Sequence, residues 1–164
     1  MNTTQIGLLY MNNLFEFEQD FVESLRCIPM IVRYKLDSCG VKLKLEHWNK
    51  FSQEARQQLV SNSINTPEEI AAYRSLLYEL AEQYTNLPLK DLPIEDQPLW
   101  LETKKLPDDV QQKAGEIGVK ITLKQWQDLT PLQRFALLKL SRPSHENKNF
   151  LPALREFKIL ENSL

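Results

Sequence analysis

The residues best suited to chemistry lie near the end of the chain, in a polar run where apolar periodicity stops. The run combines a guanidinium, an imidazole, a carboxylate, an ammonium and two amides, from Arg142, His145, Glu146, Lys148, Asn147 and Asn149. Held in a loop on a rigid scaffold, such a set could bind an anion or hydrogen-bond the backbone of a partner. A solvated turn with local Asn and Ser caps explains the same composition. Both alternatives stay open from the residues alone.

The cysteines and histidines form a second set of reactive side chains. Cys27, Cys39, His47 and His145 could supply a Cys2His2 zinc site, but their spacing matches no common zinc frame. Cys27 comes just before a predicted helix start and is therefore a better candidate for a reactive thiol than Cys39. The simpler interpretation of both is a buried or inert thiol. We predict no metal ligands and no cofactor.

Composition and pattern exclude several classes of protein. The chain has 164 residues, of which 42% are hydrophobic and 26% charged, with a formal net charge of −2. These values are typical of a globular domain and give no electrostatic basis for binding nucleic acid or a membrane surface. The sequence has no apolar run near the roughly 20 residues of a membrane helix, and it begins without a signal-peptide pattern. We expect a cytoplasmic protein.

Familiar catalytic patterns are missing from the sequence. Its four glycines form neither a GxGxxG nor a GxxxxGK phosphate loop, and the GxSxG and HExxH motifs do not occur. We therefore predict that the protein is not an enzyme.

The elements that must position the polar run are organised around a repeated stretch. Residues 40–48 (GVKLKLEHW) return as residues 118–126 (GVKITLKQW), at an offset of 118 − 40 = 78 positions. The offset also pairs prolines, helix caps and arginines: Pro29 with Pro107, Ser52 with Thr130, and Arg56 with Arg134. Because these residues keep step without a gap, we interpret the pattern as an internal duplication of residues 28–62 and 106–140.

Local signals predict the helices of the first unit. Pro29 is placed to open a helix that Gly40 ends, with Ile31, Tyr34 and Leu36 buried. A brief extended crossing follows Gly40, and then a short amphipathic turn. The apolar residues of that turn are Leu45, Trp48 and Phe51. Ser52 can cap a further helix, along which Arg56 is predicted to cover the tryptophan face.

A long helix and a proline-rich connector follow. Thr66 can cap the helix, with Pro67 at its first position and Glu69 completing a capping box. Apolar residues at spacings of three and four continue this helix to about residue 86. Three prolines then predict an extended connection over residues 87–105, which Trp100 anchors to the core.

The second unit repeats the first. Pro107 opens a helix, Gly118 ends it, and Thr122 caps the short turn that carries Trp126. Thr130 begins a second capping box. A short helix from about residue 152 to 160 closes the chain.

These elements predict a mainly α protein with one domain over residues 14–164. It is built from two duplicated helix–loop–helix units joined by the long helix and the proline-rich connector. Since each unit alone has too few apolar residues to cover its helices, the units are expected to share a core. Residues 1–13 are expected to form a loosely ordered leader, and Met11 is an alternative start.

Several stretches of the chain resemble a known family. They are FEFE at 15–18, FVxSLRCIPM at 21–30, KLDxCGVKL at 35–43, TPLQRFAL at 130–137 and LSRPxHENKNF at 140–150. Together these motifs resemble the conserved nitrate-reductase-associated proteins of cyanobacteria, over roughly residues 15–160.

The resemblance implies a small accessory protein that contacts assimilatory nitrate reductase or its maturation machinery. That enzyme carries a molybdenum cofactor and an iron–sulfur cluster, so the implied role is in maturation, cofactor insertion or activity. We predict a contact loop from Arg142 to Asn149, with Arg26 and Lys35 as weaker candidates. The alternative is a carrier or enzyme in which Arg142, His145 and Lys148 hold an anionic ligand, such as the molybdenum cofactor or nitrate.

Overall fold

The computed structural model describes residues 14–19, 25–143 and 148–161, and these are mainly helical, which confirms the predicted fold class. The predicted leader lies outside the described residues. The chain divides into two compact units, with the boundary between Ile94 and Glu95. A single domain with a shared core therefore stays a prediction.

Among its described residues, the first unit has four α-helices and a small antiparallel sheet. After a 3₁₀ helix (Glu16–Glu18), its elements are α1 (Met30–Cys39), β1 (Val41–Lys42), α2 (Leu45–Lys50), α3 (Gln53–Ser61), α4 (Pro67–Tyr84) and β2 (Lys90–Asp91). In the sheet, Val41 lies opposite Asp91 and Lys42 opposite Lys90. The extended crossing predicted after Gly40 is confirmed as β1, whereas its pairing with the connector was not predicted.

The described part of the second unit has four further α-helices. After a 3₁₀ helix (Leu99–Leu101), these are α5 (Asp108–Glu116), α6 (Leu123–Asp128), α7 (Pro131–Ser141) and α8 (Phe150–Glu156). The prediction for α8 was about two residues late at its start and four at its end. Pro152 fits within the first turn, where its missing N–H has no partner to lose. The helix ends early because Lys158 adopts a positive φ of 62°.

The two units repeat one local construction at the predicted offset. The three helices of each repeat begin at corresponding positions, Met30, Leu45 and Gln53 against Asp108, Leu123 and Pro131. Gly40 and Gly118 follow the first helix of each repeat with φ angles of 72° and 74°. This left-handed conformation ends a helix and is free of strain only for glycine. A common origin of the two repeats stays a prediction.

Hydroxyl side chains cap the helices where the sequence predicted them. Ser52 Oγ accepts the Ala55 N–H at 3.1 Å, and Thr130 Oγ1 accepts the Gln133 N–H at 3.2 Å. Thr122 caps α6 in the same way. These caps satisfy N–H groups that the first turn of a helix leaves without partners.

One predicted cap is only half correct. Thr66 Oγ1 accepts the Glu69 N–H at 3.1 Å, as expected. The Glu69 carboxylate, however, accepts the Asn65 N–H at 3.0 Å and the Ser63 hydroxyl, instead of the Thr66 N–H that a capping box requires. The carboxylate thus ties down the loop before α4 and does not close the box.

Each repeat is built around a fully buried tryptophan. The indole N–H of Trp48 donates to the Leu25 carbonyl at 2.7 Å, and that of Trp126 donates to the Glu102 carbonyl at 2.8 Å. Both acceptors lie in the chain that enters the repeat. The tryptophans therefore fasten the entering backbone to the short helix that carries them.

An arginine completes this arrangement in each repeat. Arg56 donates to the carbonyls of Trp48, Leu25 and Asn49, and its Cζ lies 5.8 Å from the Trp48 ring centroid. The cation–π contact predicted for Arg56 is thereby confirmed. Arg134 is 6% exposed. It donates to the carbonyls of Trp100, Trp126, Gln127 and Leu129.

The packing of apolar side chains corrects two predictions. Leu36 is buried as predicted, but Ile31 and Tyr34 are only half-buried, because the buried face of α1 carries Met30, Val32 and Cys39 instead. That face also contains Lys35. This charged residue interrupts the apolar pattern by which the buried face could be recognised in the sequence. Leu45 is 50% exposed at the first position of α2, so the buried side of this turn rests on Trp48 and Phe51. Trp100 meets its prediction by packing edge-on against Phe135, with centroids 5.1 Å apart.

The two left-handed glycines give a matched pair of variants. A Cβ at Gly40 would lie 2.7 Å from Ile94 Cγ1 and 2.9 Å from the Leu92 carbonyl oxygen, whereas a Cβ at Gly118 would meet nothing within 4 Å. Gly118→Ala should lower the free energy of unfolding by about 1 kcal/mol through backbone strain alone. Gly40→Ala should cost about 2 kcal/mol more, since strain and overlap act together. Urea unfolding of both variants measures the difference, and equal losses would contradict this packing.

Candidate functional site

The predicted contact loop begins where α7 ends. Pro143 disfavours the helical conformation at the residue before it, and Arg142 is accordingly extended, with φ −80° and ψ 149°. The Arg142 side chain is exposed and lines a pocket of about 320 Å³ between α5 and the end of α7. The other lining residues are Asp109, Gln112, Lys113, Glu116, Ser141 and Pro143.

The charges around this pocket are mixed. Arg142 and Lys113 supply two cations, and Asp109 and Glu116 supply two carboxylates. The Lys113 ammonium lies 3.6 Å from the Glu116 carboxylate, so it already has an acidic partner. The pocket therefore presents a balanced set of hydrogen-bonding and charged groups.

The other predicted residues are not all in one place, and some of them are not described. Lys148 is exposed, and Asn149 is half-buried at the N-cap position of α8. His145, Glu146 and Asn147 lie outside the described residues. Arg26 and Lys35 belong to the first unit, Arg26 exposed and Lys35 buried. Of the predicted set, Arg142, Lys148 and Asn149 therefore lie at the two described ends of the loop.

Lys35 stabilises the interior of the first unit. Its Nζ donates to the carbonyls of Val60 at 2.7 Å and Asn62 at 2.5 Å, which lie at the C-terminal end of α3. A cation at this end of a helix is favoured by the helix dipole and by the unpaired carbonyls there. Nζ also lies 5.7 Å from the Tyr73 ring centroid. The Lys35 amine therefore points into the unit.

Burial changes the acid–base properties of the groups around Lys35. Desolvation lowers the pKa of Lys35 from 10.5 to about 8, opposed in part by Cys39. Desolvation also raises the pKa of the Cys39 thiol from 9.0 to about 11 and raises the pKa of the Tyr73 hydroxyl well above 10.0. Cys39 is therefore a protonated thiol at neutral pH and a poor nucleophile. Cys27 is half-buried, and both cysteines are free.

A polar cluster that the sequence did not indicate lies on the surface of the first unit. The Arg74 guanidinium donates to the carbonyls of Cys39 and Gly40 and forms an ion pair with Asp91. The Tyr78 hydroxyl donates to the same carboxylate at 2.6 Å. These hydrogen bonds lower the pKa of Asp91. Arg74 and Tyr78 stand four positions apart on α4, a spacing that places them side by side, but Asp91 gives no local signal.

The histidine of the first repeat has a structural role, because it is buried and bonded to the backbone. His47 is 2% exposed. In the tautomer with hydrogen on Nε2, its Nδ1 accepts the Lys44 N–H at 3.1 Å and its Nε2 donates to the Leu87 carbonyl at 3.2 Å. Within the described ranges, no three His, Cys, Asp or Glu side chains are grouped so that they could hold a metal ion. His145, the fourth member of the hypothetical zinc set, lies outside those ranges.

Comparison with known proteins decides the family. The model of the family described as "conserved nitrate reductase-associated protein" matches residues 14–157. The chain belongs to this family. The resemblance to this family is thus confirmed, with boundaries close to those expected, whereas a cyanobacterial origin stays a prediction. Neither the curated proteins nor the solved structures contain a match to the chain. The helices of this family member, so far as the structure describes them, include none long and apolar enough to cross a membrane.

Lys35 makes the stability of this family member depend on pH. Between its folded pKa of about 8 and its ordinary value of 10.5, the unfolded chain binds a proton that the folded chain lacks. The free energy of unfolding contributed by Lys35 should therefore rise with pH through this window. Cys39 and Tyr73 act in the opposite direction at higher pH, since their folded pKa values are raised.

Urea unfolding from about pH 7.5 to 9 isolates the effect of Lys35 from the opposing groups. Relative to Lys35→Met, the wild-type chain should gain stability as the pH rises. Leu36→Met is the control, because it keeps the Lys35 amine and should keep the wild-type slope. Parallel pH profiles for the wild type and Lys35→Met would show that the amine is solvated in the folded protein.

Proposed function

We propose that the protein is a non-catalytic accessory protein of assimilatory nitrate reductase. In this proposal it acts in the cytoplasm, by direct contact with the reductase or its maturation machinery, and supports maturation, cofactor insertion or activity. The observation that carries the proposal is the family match over residues 14–157, since the family is described by its association with nitrate reductase.

The surface that best supports a protein contact is the end of α7 together with the start of α8. Arg142 and Lys148 are exposed there, and Asn149 is half-buried. Arginine is enriched at the centres of protein interfaces because its planar fork and apolar stem contribute hydrogen bonds and contact area together. Arg142 directly follows α7. The buried Arg134 holds this helix in place, so the contact residue is attached to a rigid element.

The charge balance of the Arg142 pocket favours a protein partner over a free anion. Asp109 and Glu116 line the same pocket and would repel an anionic ligand. Lys113, the second cation, is already paired with Glu116. A protein surface can satisfy both signs of charge at once, through complementary side chains and backbone groups.

The second candidate function is a carrier or enzyme for an anionic ligand, such as nitrate or the molybdenum cofactor. The pocket volume favours it, because about 320 Å³ falls within the usual range of small-molecule sites. In this alternative, the Arg142 guanidinium would hold a planar oxyanion through two parallel hydrogen bonds. Arg142 contacts a protein partner in the first function and an anion in the second. Experiments on Arg142 therefore distinguish the two functions.

Affinity purification from nitrate-grown cells tests the proposed contact. The tagged wild-type protein should recover nitrate reductase, and the Arg142→Ala, Lys148→Ala double variant should recover about tenfold less, since charged anchors at an interface centre dominate binding. Arg155→Ala is the matched control, because Arg155 is exposed on α8 in the same unit. It should recover nitrate reductase at the wild-type level. Equal recovery by the double variant and the control would contradict the assignment.

Thermal unfolding with sodium nitrate separates the two functions. Under the proposed function, nitrate should shift the wild-type midpoint no more than sodium chloride at equal ionic strength. A nitrate-specific increase that disappears in Arg142→Ala would favour the anion carrier, because only ligand binding to the folded state raises the midpoint in this way.

A further inference from the structure

The two repeats differ in what lies against the chain that follows each glycine. In the first unit, the Leu92 N–H donates to the Gly40 carbonyl at 2.8 Å, and β2 pairs with β1. Gly40 is buried and Val41 has no exposed surface. The connector thus covers this edge completely, with the Ile94 side chain over the glycine.

The same edge is open in the second unit. Residues 118–120 pair with no strand among the described residues. Gly118 is exposed, and a Cβ added there would meet nothing within 4 Å. Val119 is half-buried where Val41 is fully covered. Among the residues that the structure describes, none fills in the second unit the position that the connector fills in the first.

The first unit also shows which backbone groups of the open edge face outward. In an antiparallel pair, every second residue exchanges hydrogen bonds with its neighbour strand. Gly40 bonds to Leu92, so Lys42, two positions on and opposite Lys90, turns its N–H and C=O toward β2 as well. By the shared construction, the groups directed outward in the second unit are the Gly118 carbonyl and the N–H and C=O of Lys120, since the Gly118 N–H donates to the Gly115 carbonyl at 3.1 Å. An unpaired edge of this kind is a template for strand addition.

The side chains around the open edge define the chemistry of its occupant. Lys120 is exposed and makes no ion pair within the described parts of the chain. Ile117 and Leu123, which stand on either side of the edge in the sequence, are 38% and 41% exposed. An extended segment with a carboxylate opposite Lys120 and aliphatic side chains beyond it complements both features.

We propose that residues 118–120 bind an extended segment of a partner protein by antiparallel strand addition. The segment carries an acidic residue opposite Lys120 and an aliphatic residue two positions later, opposite Gly118, as Leu92 lies opposite Gly40 in the first unit. Backbone hydrogen bonds give the affinity, and the charge and the aliphatic contact give the specificity. The proposal concerns a different surface from the Arg142 pocket and does not rest on the proposed function.

A synthetic peptide that copies the connector tests the proposal. The probe has the sequence of residues 87–94 with Lys90→Glu, which places glutamate opposite Lys120. Added to the full ¹⁵N-labelled chain, it should shift the amide resonances of Gly118, Val119 and Lys120 in a saturable way. Absence of saturable shifts at these three amides, or shifts confined to other parts of the chain, overturns the proposal.

Two variants at one position separate the backbone contribution from the charge. Lys120→Pro removes the outward N–H and should abolish the shifts at residues 118 and 119. Lys120→Ala keeps the N–H and should weaken binding only about two- to fivefold, the loss expected for one exposed ion pair. Equal binding by both variants and the wild type would overturn the strand-addition geometry. The wild-type titration decides the proposal even where Lys120→Pro does not fold.

Sedimentation of the peptide-free chain separates a partner segment from a second copy of the protein. Under the proposal the chain sediments as a single species over a hundredfold range of concentration. A concentration-dependent dimer that the peptide dissociates would overturn the assignment, because the connector of a second copy would then be the occupant.

Discussion

Each repeat depends on an arginine that binds backbone carbonyls, half-buried in the case of Arg56 and buried in the case of Arg134. The short tryptophan helices, α2 and α6, leave the carbonyls at their C-terminal ends without α-helical partners, as every α-helix does. Arg56 and Arg134 donate to those carbonyls and also to the chain that enters the repeat. Some of these carbonyls also accept a second donor, as the Leu25 carbonyl does from the Trp48 indole, and each arginine adds charge-assisted hydrogen bonds to them. The tryptophan beside it fills the space between the same elements.

The two candidate contact surfaces, at Arg142 and at residues 118–120, are positioned by this arrangement. Arg134 fixes α7, and Arg142 follows the last residue of that helix, so the contact residue is positioned by the buried arginine eight places before it. The segment that begins with the left-handed glycine precedes the tryptophan helix in both repeats. It comprises residues 40–42 in the first unit and residues 118–120 in the second. In the first unit the connector closes it, and Arg74 and Asp91 secure the closure. The second unit retains the frame and leaves the edge exposed.

Sequence predicted the features that local chemistry determines. Gly40, Gly118, Ser52 and Thr130 act within a few residues of their own positions, and their roles were correct. The burial of Lys35 escaped prediction because its acceptors, Val60 and Asn62, lie 25 and 27 residues along the chain. The pairing of β1 with β2 and the carboxylate between Arg74 and Tyr78 were missed for the same reason. For the site, sequence located the exposed Arg142 but not its pocket, which needs α5 folded against α7.

Hydrogen exchange at the Trp126 indole N–H tests the central role of the buried arginine most directly. This N–H donates to the Glu102 carbonyl, and Arg134 holds the neighbouring Trp126 and Leu129 carbonyls in place. In Arg134→Lys, which keeps the charge but loses the planar fork, the indole should exchange at least about tenfold faster under native conditions, because local opening becomes easier. Unchanged exchange in this variant would contradict the account, since the tryptophan would then be held without the guanidinium.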